Sequence, residues 1–111
     1  MMQKFRCFDK DTKTMHEVVS IDFRDWRVYY EAYGLRNYWN KNVVLMQSTG
    51  IYDKHGVEIF EYSELDGAYE VIFKDLRYIL RHIQNNDIID LYDYWRGKNG
   101  ETEVTREYTK V

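Results

Sequence analysis

Polar and apolar residues alternate with a period of two along most of the first half of the chain, the spacing of strands with one buried face. Residues 4–8 set Phe5 and Cys7 against Arg6 and Phe8, and residues 15–23 place Val19, Ile21 and Phe23 on one face with Ser20 and Asp22 opposite. Arg24-Asp25 suits a tight hairpin into residues 26–33, where Trp26, Val28 and Tyr30 alternate with Arg27, Tyr29 and Glu31 until Gly34 ends the run. Tyr38, Trp39 and residues 43–46 carry the pattern onward. The first half therefore reads as a β-meander.

Residues 45–61 then place two glycine bends between apolar runs. In Asp53-Lys54-His55-Gly56 the aspartate can accept hydrogen bonds from its own turn, and the glycine stands where a left-handed residue is common. Gly50 permits a second sharp bend, and residues 57–61 read as the following strand. Residues 69–74 alternate again, with Tyr69, Val71 and Phe73 against Glu70, Ile72 and Lys74.

The period changes after that. Leu76, Ile79, Leu80 and Ile83 fall at helical spacing behind Asp75, which predicts a helix over 76–84 with Asp75 as its N-cap. Ile88, Leu91, Tyr92 and Trp95 repeat that spacing with Asn86 or Asp87 as the cap, while Ile89, Leu91 and Trp95 fit one face of a strand; both readings stay open for 88–95. Asn99-Gly100 is a hairpin signal, flanked by an alternating stretch over 101–108. The expected fold class is mainly β, a β-rich α+β protein. It has an N-terminal β-subdomain over 1–62 and a C-terminal subdomain over 63–111 with one or two short helices, the two packed as a single compact unit.

Composition sharpens this picture in three ways. The 111 residues include eleven Tyr, three Trp and five Phe, a surplus that favours strands and interfaces. Proline is absent, so turns fall to Gly, Asn, Asp and Ser. Cys7 is the only cysteine, which rules out an internal disulfide and fits a reducing cytoplasm. No stretch resembles a signal peptide or a membrane span. The formal net charge of −3 is uneven: residues 42–95 hold 4 Lys or Arg against 10 Asp or Glu, with no basic run that would footprint nucleic acid.

Candidate chemistry is sparse. His16, His55 and His82 have no spacing that would set two on one helix face. Cys7 in an apolar strand reads as a small core residue, and Ser20, Ser48 and Ser63 lack the glycines of a nucleophile elbow. Asp87, Asp90 and Asp93 lie three apart and would share one side of a helix. They read as a polar face before a metal site, so no metal or other cofactor is expected and no catalytic residue is assigned. Tyr29, Tyr30, Tyr33, Tyr38 and Trp39 cluster in sequence and, with the three aspartates, are the candidate partner-binding residues.

Two blocks resemble the YopX family of small phage and prophage proteins. Residues Lys4-Phe5-Arg6-Cys7-Phe8-Asp9-Lys10-Asp11-Thr12-Lys13-Thr14-Met15 are similar to the family's K-F-R-x-W-D-K-x-x-K-x-M, with Phe8 in place of its tryptophan. Leu45–Gly50 and Asp53–Glu61 are similar to L-M-Q-x-T-G-x-x-D-K-x-G-x-E-I-[YF]-E. The resemblance weakens from Tyr62, where relatives enter a small SH3-like lobe, so a reduced lobe is an alternative to the helices after residue 63. It implies a β-rich, homo-oligomeric protein of the bacterial host cytoplasm. It transfers no functional residue, because the family has no agreed active site. The functional expectation is a phage-encoded, non-enzymatic binding protein. A counter-defence inhibitor of a host immune protein such as a CRISPR effector is one alternative, and a nucleic-acid or nucleotide binder is another.

Overall fold

The computed structural model describes residues 4–25, 27–32, 35–38 and 43–108. In chain order the elements are β1 (Phe5–Asp9), β2 (Thr14–Asp22), β3 (Arg27–Ala32), β4 (Leu35–Tyr38), β5 (Val43–Tyr52), β6 (Glu58–Phe60), β7 (Glu64–Leu65), β8 (Tyr69–Lys74), β9 (Arg77–His82), β10 (Ile88–Asp90), α1 (Leu91–Gly97) and β11 (Val104–Arg106). The protein is mainly β, as its alternation predicts. Hydrogen bonding follows the order β4-β3-β2-β1-β5-β6 in one sheet and β10-β9-β8-β7-β11 in the other. All pairings are antiparallel.

The chain divides into two compact units, Met1–Gln47 with Thr109–Val111, and Ser48–Tyr108. The division falls inside β5, and residue 62, where the sequence places a boundary, lies within the second unit. In the first unit the β1 register runs Phe5↔Gln47 to Asp9↔Val43 against β5, and Arg6↔Glu17 to Asp9↔Thr14 against β2. Its core gathers Cys7, Val28 and Tyr30, with Val18, Val43 and Leu45 packed against them. Trp26 and Tyr33 lie outside the described residues.

Here the expected face of β2 is wrong. Val18 pairs Tyr30 but Ser20 pairs Tyr29, so Val19 is an extra residue, a β-bulge. A one-residue slip exchanges the two faces of a strand. Val18 therefore packs inward, while Val19 is 50% and Phe23 65% exposed.

The core of the second unit is larger. Ile59, Leu65, Val71, Tyr78, Leu80 and Leu91 are buried together, with Tyr69, Phe73, Ile89 and Tyr92 among the residues packed on them. The strand over 69–74 forms as predicted. The helix over 76–84 does not. Asp75 and Leu76 take positive φ, 52° and 65°, and make a two-residue hairpin between β8 and β9, with Lys74 facing Arg77. β9 lies between β8 and β10, so Tyr78, Ile79 and Leu80 are buried in succession. A strand covered on both faces loses its alternation, and its apolar run mimics a helix stripe.

Residues 88–95 resolve into both readings in turn, strand over Ile88–Asp90 and then helix from Leu91. The cap is Asp90, whose carboxylate accepts the Asp93 N–H at 3.0 Å; neither Asn86 nor Asp87 serves. Asn99-Gly100 closes no hairpin. Asn99 is left-handed at φ 53°, its N–H reaches the Arg96 carbonyl, and the Gly100 N–H reaches the Trp95 carbonyl, which is a Schellman ending to α1.

Gly50 departs from expectation as well. At φ 81° it sits inside β5 and makes no turn. Ser48 pairs Phe60 and Tyr52 pairs Glu58, so β5 carries two more residues than β6 across that span. The carbonyls thrown out of the ladder are met by aromatic side chains of the same unit. Tyr78 Oη donates to Ser48 O at 3.0 Å, Tyr92 Oη to Thr49 O at 2.6 Å and Trp95 Nε1 to Tyr52 O at 2.9 Å.

Tyr92→Phe keeps the ring and leaves the Thr49 carbonyl without that donor. We expect a loss of about 1–2 kcal/mol, read as a fall in Tm on the order of 5 °C; an unchanged Tm would show the bond to be dispensable.

Candidate functional site

The residues that carry the two sequence blocks meet their partners through local turns and short-range pairing. Asp9 ends β1, and its Oδ1 accepts the N–H groups of Asp11 at 2.9 Å and Thr12 at 3.3 Å, which builds the β1–β2 turn. Its Oδ2 accepts the Tyr30 hydroxyl at 2.6 Å. His16 stacks on the Tyr30 ring, centroids 4.6 Å apart, and its Nε2 lies 2.7 Å from Thr14 Oγ1. Cys7 stands opposite His16 in the β1–β2 register. Sequence reading treats these four residues singly, because only strand pairing and side-chain contact join them.

A cysteine, a histidine and an aspartate in one neighbourhood invite a catalytic reading, and the electrostatics argue against it. Cys7 is fully buried, and burial, with the nearby Asp9 charge, pushes its thiol up to about 12. The thiolate that nucleophilic chemistry requires is thus suppressed at neutral pH. Burial also raises the Tyr30 hydroxyl, as does its bond to Asp9. For Asp9 burial opposes the charge, but the bonds from Tyr30, Asp11 and Thr12 outweigh it and hold the carboxyl below its usual value.

Asp53 plays a similar part in the second block. Its Oδ1 accepts the N–H of His55 at 2.8 Å and of Val57 at 2.9 Å, closing the turn in which Gly56 takes φ 78°. Its Oδ2 accepts the Val104 N–H at 2.9 Å, fastening that turn to β11, and the Lys54 N–H reaches the Thr102 carbonyl. Asp66 does the same one turn later, accepting the Tyr94 hydroxyl at 2.6 Å and the Glu103 N–H at 2.9 Å. Thr49 Oγ1 donates to the Ile59 carbonyl at 2.7 Å, and Ser48 Oγ donates to the Glu58 carboxylate. The motif residues form hydrogen-bonded joints, and the segment that could pass for a ligand loop is a structural hairpin.

The candidate partner-binding residues do not form one surface. Tyr30 is 3% exposed and committed to Asp9, so it is a core residue. Tyr29 is half-buried on β3, and β4 pairs Tyr38 with it. Tyr33 and Trp39 lie outside the described residues. Asp87 is exposed in the turn before β10, Asp90 caps α1, and Asp93 pairs with Arg96 at 2.8 Å. The three aspartates thus sit on a turn, a cap and a helix, and share no helix face. Among the described residues no group of three His, Cys, Asp or Glu is placed to hold a metal ion. His82 meets the Tyr69 ring edge-on at 5.1 Å, and His55 faces Glu103 at 3.6 Å on the surface.

One open groove of about 480 Å³ lies in the first unit, lined by Phe5, Val18, Val19, Ile21 and Phe23 with Lys4, Glu17 and Ser20. Sequence reading missed it, because the bulge at Val19 that turns this apolar side chain outward has no local signature.

A mainly antiparallel β-protein, with its motif residues spent on turns and strand joints, is the class these observations define. The sequence matches the YopX protein family over residues 4–106, and the chain belongs to that family. The match runs well past Tyr62, so the weakening seen there in the motifs is a local divergence. In three dimensions the chain is similar to the crystal structure of protein EF1440 from Enterococcus faecalis, with TM-score 0.65 and 22% identity, covering 98% of this chain and 94% of that one. No curated protein matches the chain. No helix among the described residues is long and apolar enough to cross a membrane.

Two outcomes follow from the geometry. Burial keeps Cys7 unreactive toward a thiol reagent in the native protein at pH 8, with rapid labelling once denaturant unfolds it; fast native labelling would contradict the assigned environment. Asp53 is held below its model carboxyl value of 3.8, since its three backbone donors outweigh burial. Its stabilisation is therefore complete above the unfolded value near 3.9 and drains away as pH falls through the lower folded value. Asp53→Asn turns an amide toward a backbone donor and should cost roughly 3 kcal/mol at pH 7. It should also flatten the loss of stability below pH 4, measured by urea unfolding across pH; a wild-type acid slope in the variant would refute this.

Proposed function

We propose that this chain is a phage- or prophage-encoded accessory protein that acts by binding, as a homo-oligomer and without catalysis, in the cytoplasm of a bacterial host. The observation that carries this reading is how its side chains are divided. Groups able to do chemistry are already engaged in folding: Cys7 in a core, Asp9 with Tyr30, Asp53 and Asp66 with backbone N–H groups. Large apolar groups, by contrast, are left in water, among them Val19, Phe23, Leu76, Ile83 and Ile88. Two of these, Val19 and Phe23, share one groove, and contiguous exposed apolar surface marks contact with other proteins.

The charge-mimic version of this idea, an inhibitor presenting Asp87, Asp90 and Asp93 to a basic channel, draws less support. Asp90 serves α1 as its cap, and Asp93 is partly neutralised by Arg96. Stacking of bases on the tyrosine cluster loses Tyr30 to the core.

Light scattering at micromolar concentrations should give a mass of at least twice the 13.6 kDa chain. A strict monomer throughout would overturn the oligomer reading. Charge reversal at Asp87 and Asp93, which leaves the Asp90 cap intact, should not change that mass.

A further inference from the structure

We infer that the β8–β9 hairpin tip of one copy docks into the Phe5–Val19–Phe23 groove of a second copy. The inference rests on the homo-oligomer reading and names the surfaces that make it. The first observation is the tip itself. A two-residue hairpin with both residues at positive φ favours Asn-Gly or Asp-Gly. Here the second position is Leu76, at φ 65° and 90% exposed. Leucine is strained in that conformation, and within its own chain it buries almost nothing in return. A strained residue held at an exposed tip is a reasonable mark of function.

The second observation is the receiving surface. The bulge at Val19 and the turn at Phe23 leave an apolar groove of about 480 Å³, against about 30 Å³ for one water of the liquid, so a turn of chain fits. Its charged residues are Lys4 and Glu17, 3.6 Å apart. The tip carries the complementary set, Asp75 and Arg77, exposed on either side of Leu76. An apolar knob flanked by one acid and one base thus matches an apolar groove bordered by one base and one acid. Opposite charges at such a contact set its register more than its strength.

Leu76→Asn places a residue suited to the left-handed turn, so the folded chain should be as stable as wild type or more so, while dissociation shifts to at least tenfold higher concentration. Val19→Asp damages the groove and should weaken association by a similar factor. Mixing the two variants supplies one intact tip and one intact groove, and should form a complex that neither forms alone at the same concentration, seen by light scattering. If wild type is a monomer, the oligomer reading fails and this inference with it. If wild type assembles but Leu76→Asn associates normally, or the mixture gives no complex, only the docking surfaces assigned here are wrong.

Discussion

Between Ser48 and Tyr52, β5 carries two more residues than the strand it pairs with, and the second unit is arranged around the backbone groups this leaves. A buried carbonyl without a donor costs as much as a lost hydrogen bond. Three such carbonyls are met by Tyr78, Tyr92 and Trp95. Tyr78 lies on β9, and Tyr92 and Trp95 lie on α1. The bulge therefore fixes where the strand and the helix of the second sheet can stand, and it consumes much of the aromatic surplus. Aromatic residues with a polar edge serve here because the ring fills the core while the hydroxyl or indole N–H satisfies the backbone.

Two aspartates extend the same principle. Asp53 and Asp66 each bond backbone N–H groups of the segment over 103–104, which returns from the end of α1 to pair β7. Their positions explain why a sequence block with turn chemistry need not bind anything. Glycines at 50 and 56 supply positive φ, Asp53 closes the turn, and Thr49 and Ser48 bond across to β6 and its edge. The family's signature is a folding signature.

The first unit uses a shorter version of this device. Asp9 builds its turn and fastens Tyr30, and the buried thiol beside it is kept protonated. What remains for interaction is apolar surface: the groove opened by the bulge at Val19, and in the second unit the leucine at the β8–β9 tip. Both are places where a local rule is broken. Valine is displaced from its face, and leucine occupies a left-handed turn. Departures of that kind are where function is expected to show.

Alternation alone was enough to determine the meander, the strand over 69–74 and the turn at Asp53–Gly56, because period-two burial and turn chemistry are local properties. The family was legible too, since its motifs lie in those turns. Four features were decided only by tertiary structure. β9 is a strand because β8 and β10 cover it, although Ile79 and Leu80 sit at helical spacing. Val18 and Val19 exchange faces through a bulge that pairing with β3 creates. Gly50 bends no chain because β6 runs alongside it. The tyrosines divide between core and surface according to which carbonyl or carboxylate lies within reach, as Tyr92 finds Thr49 and Tyr30 finds Asp9. Each depends on a partner distant in sequence, and no window of neighbouring residues contains that partner.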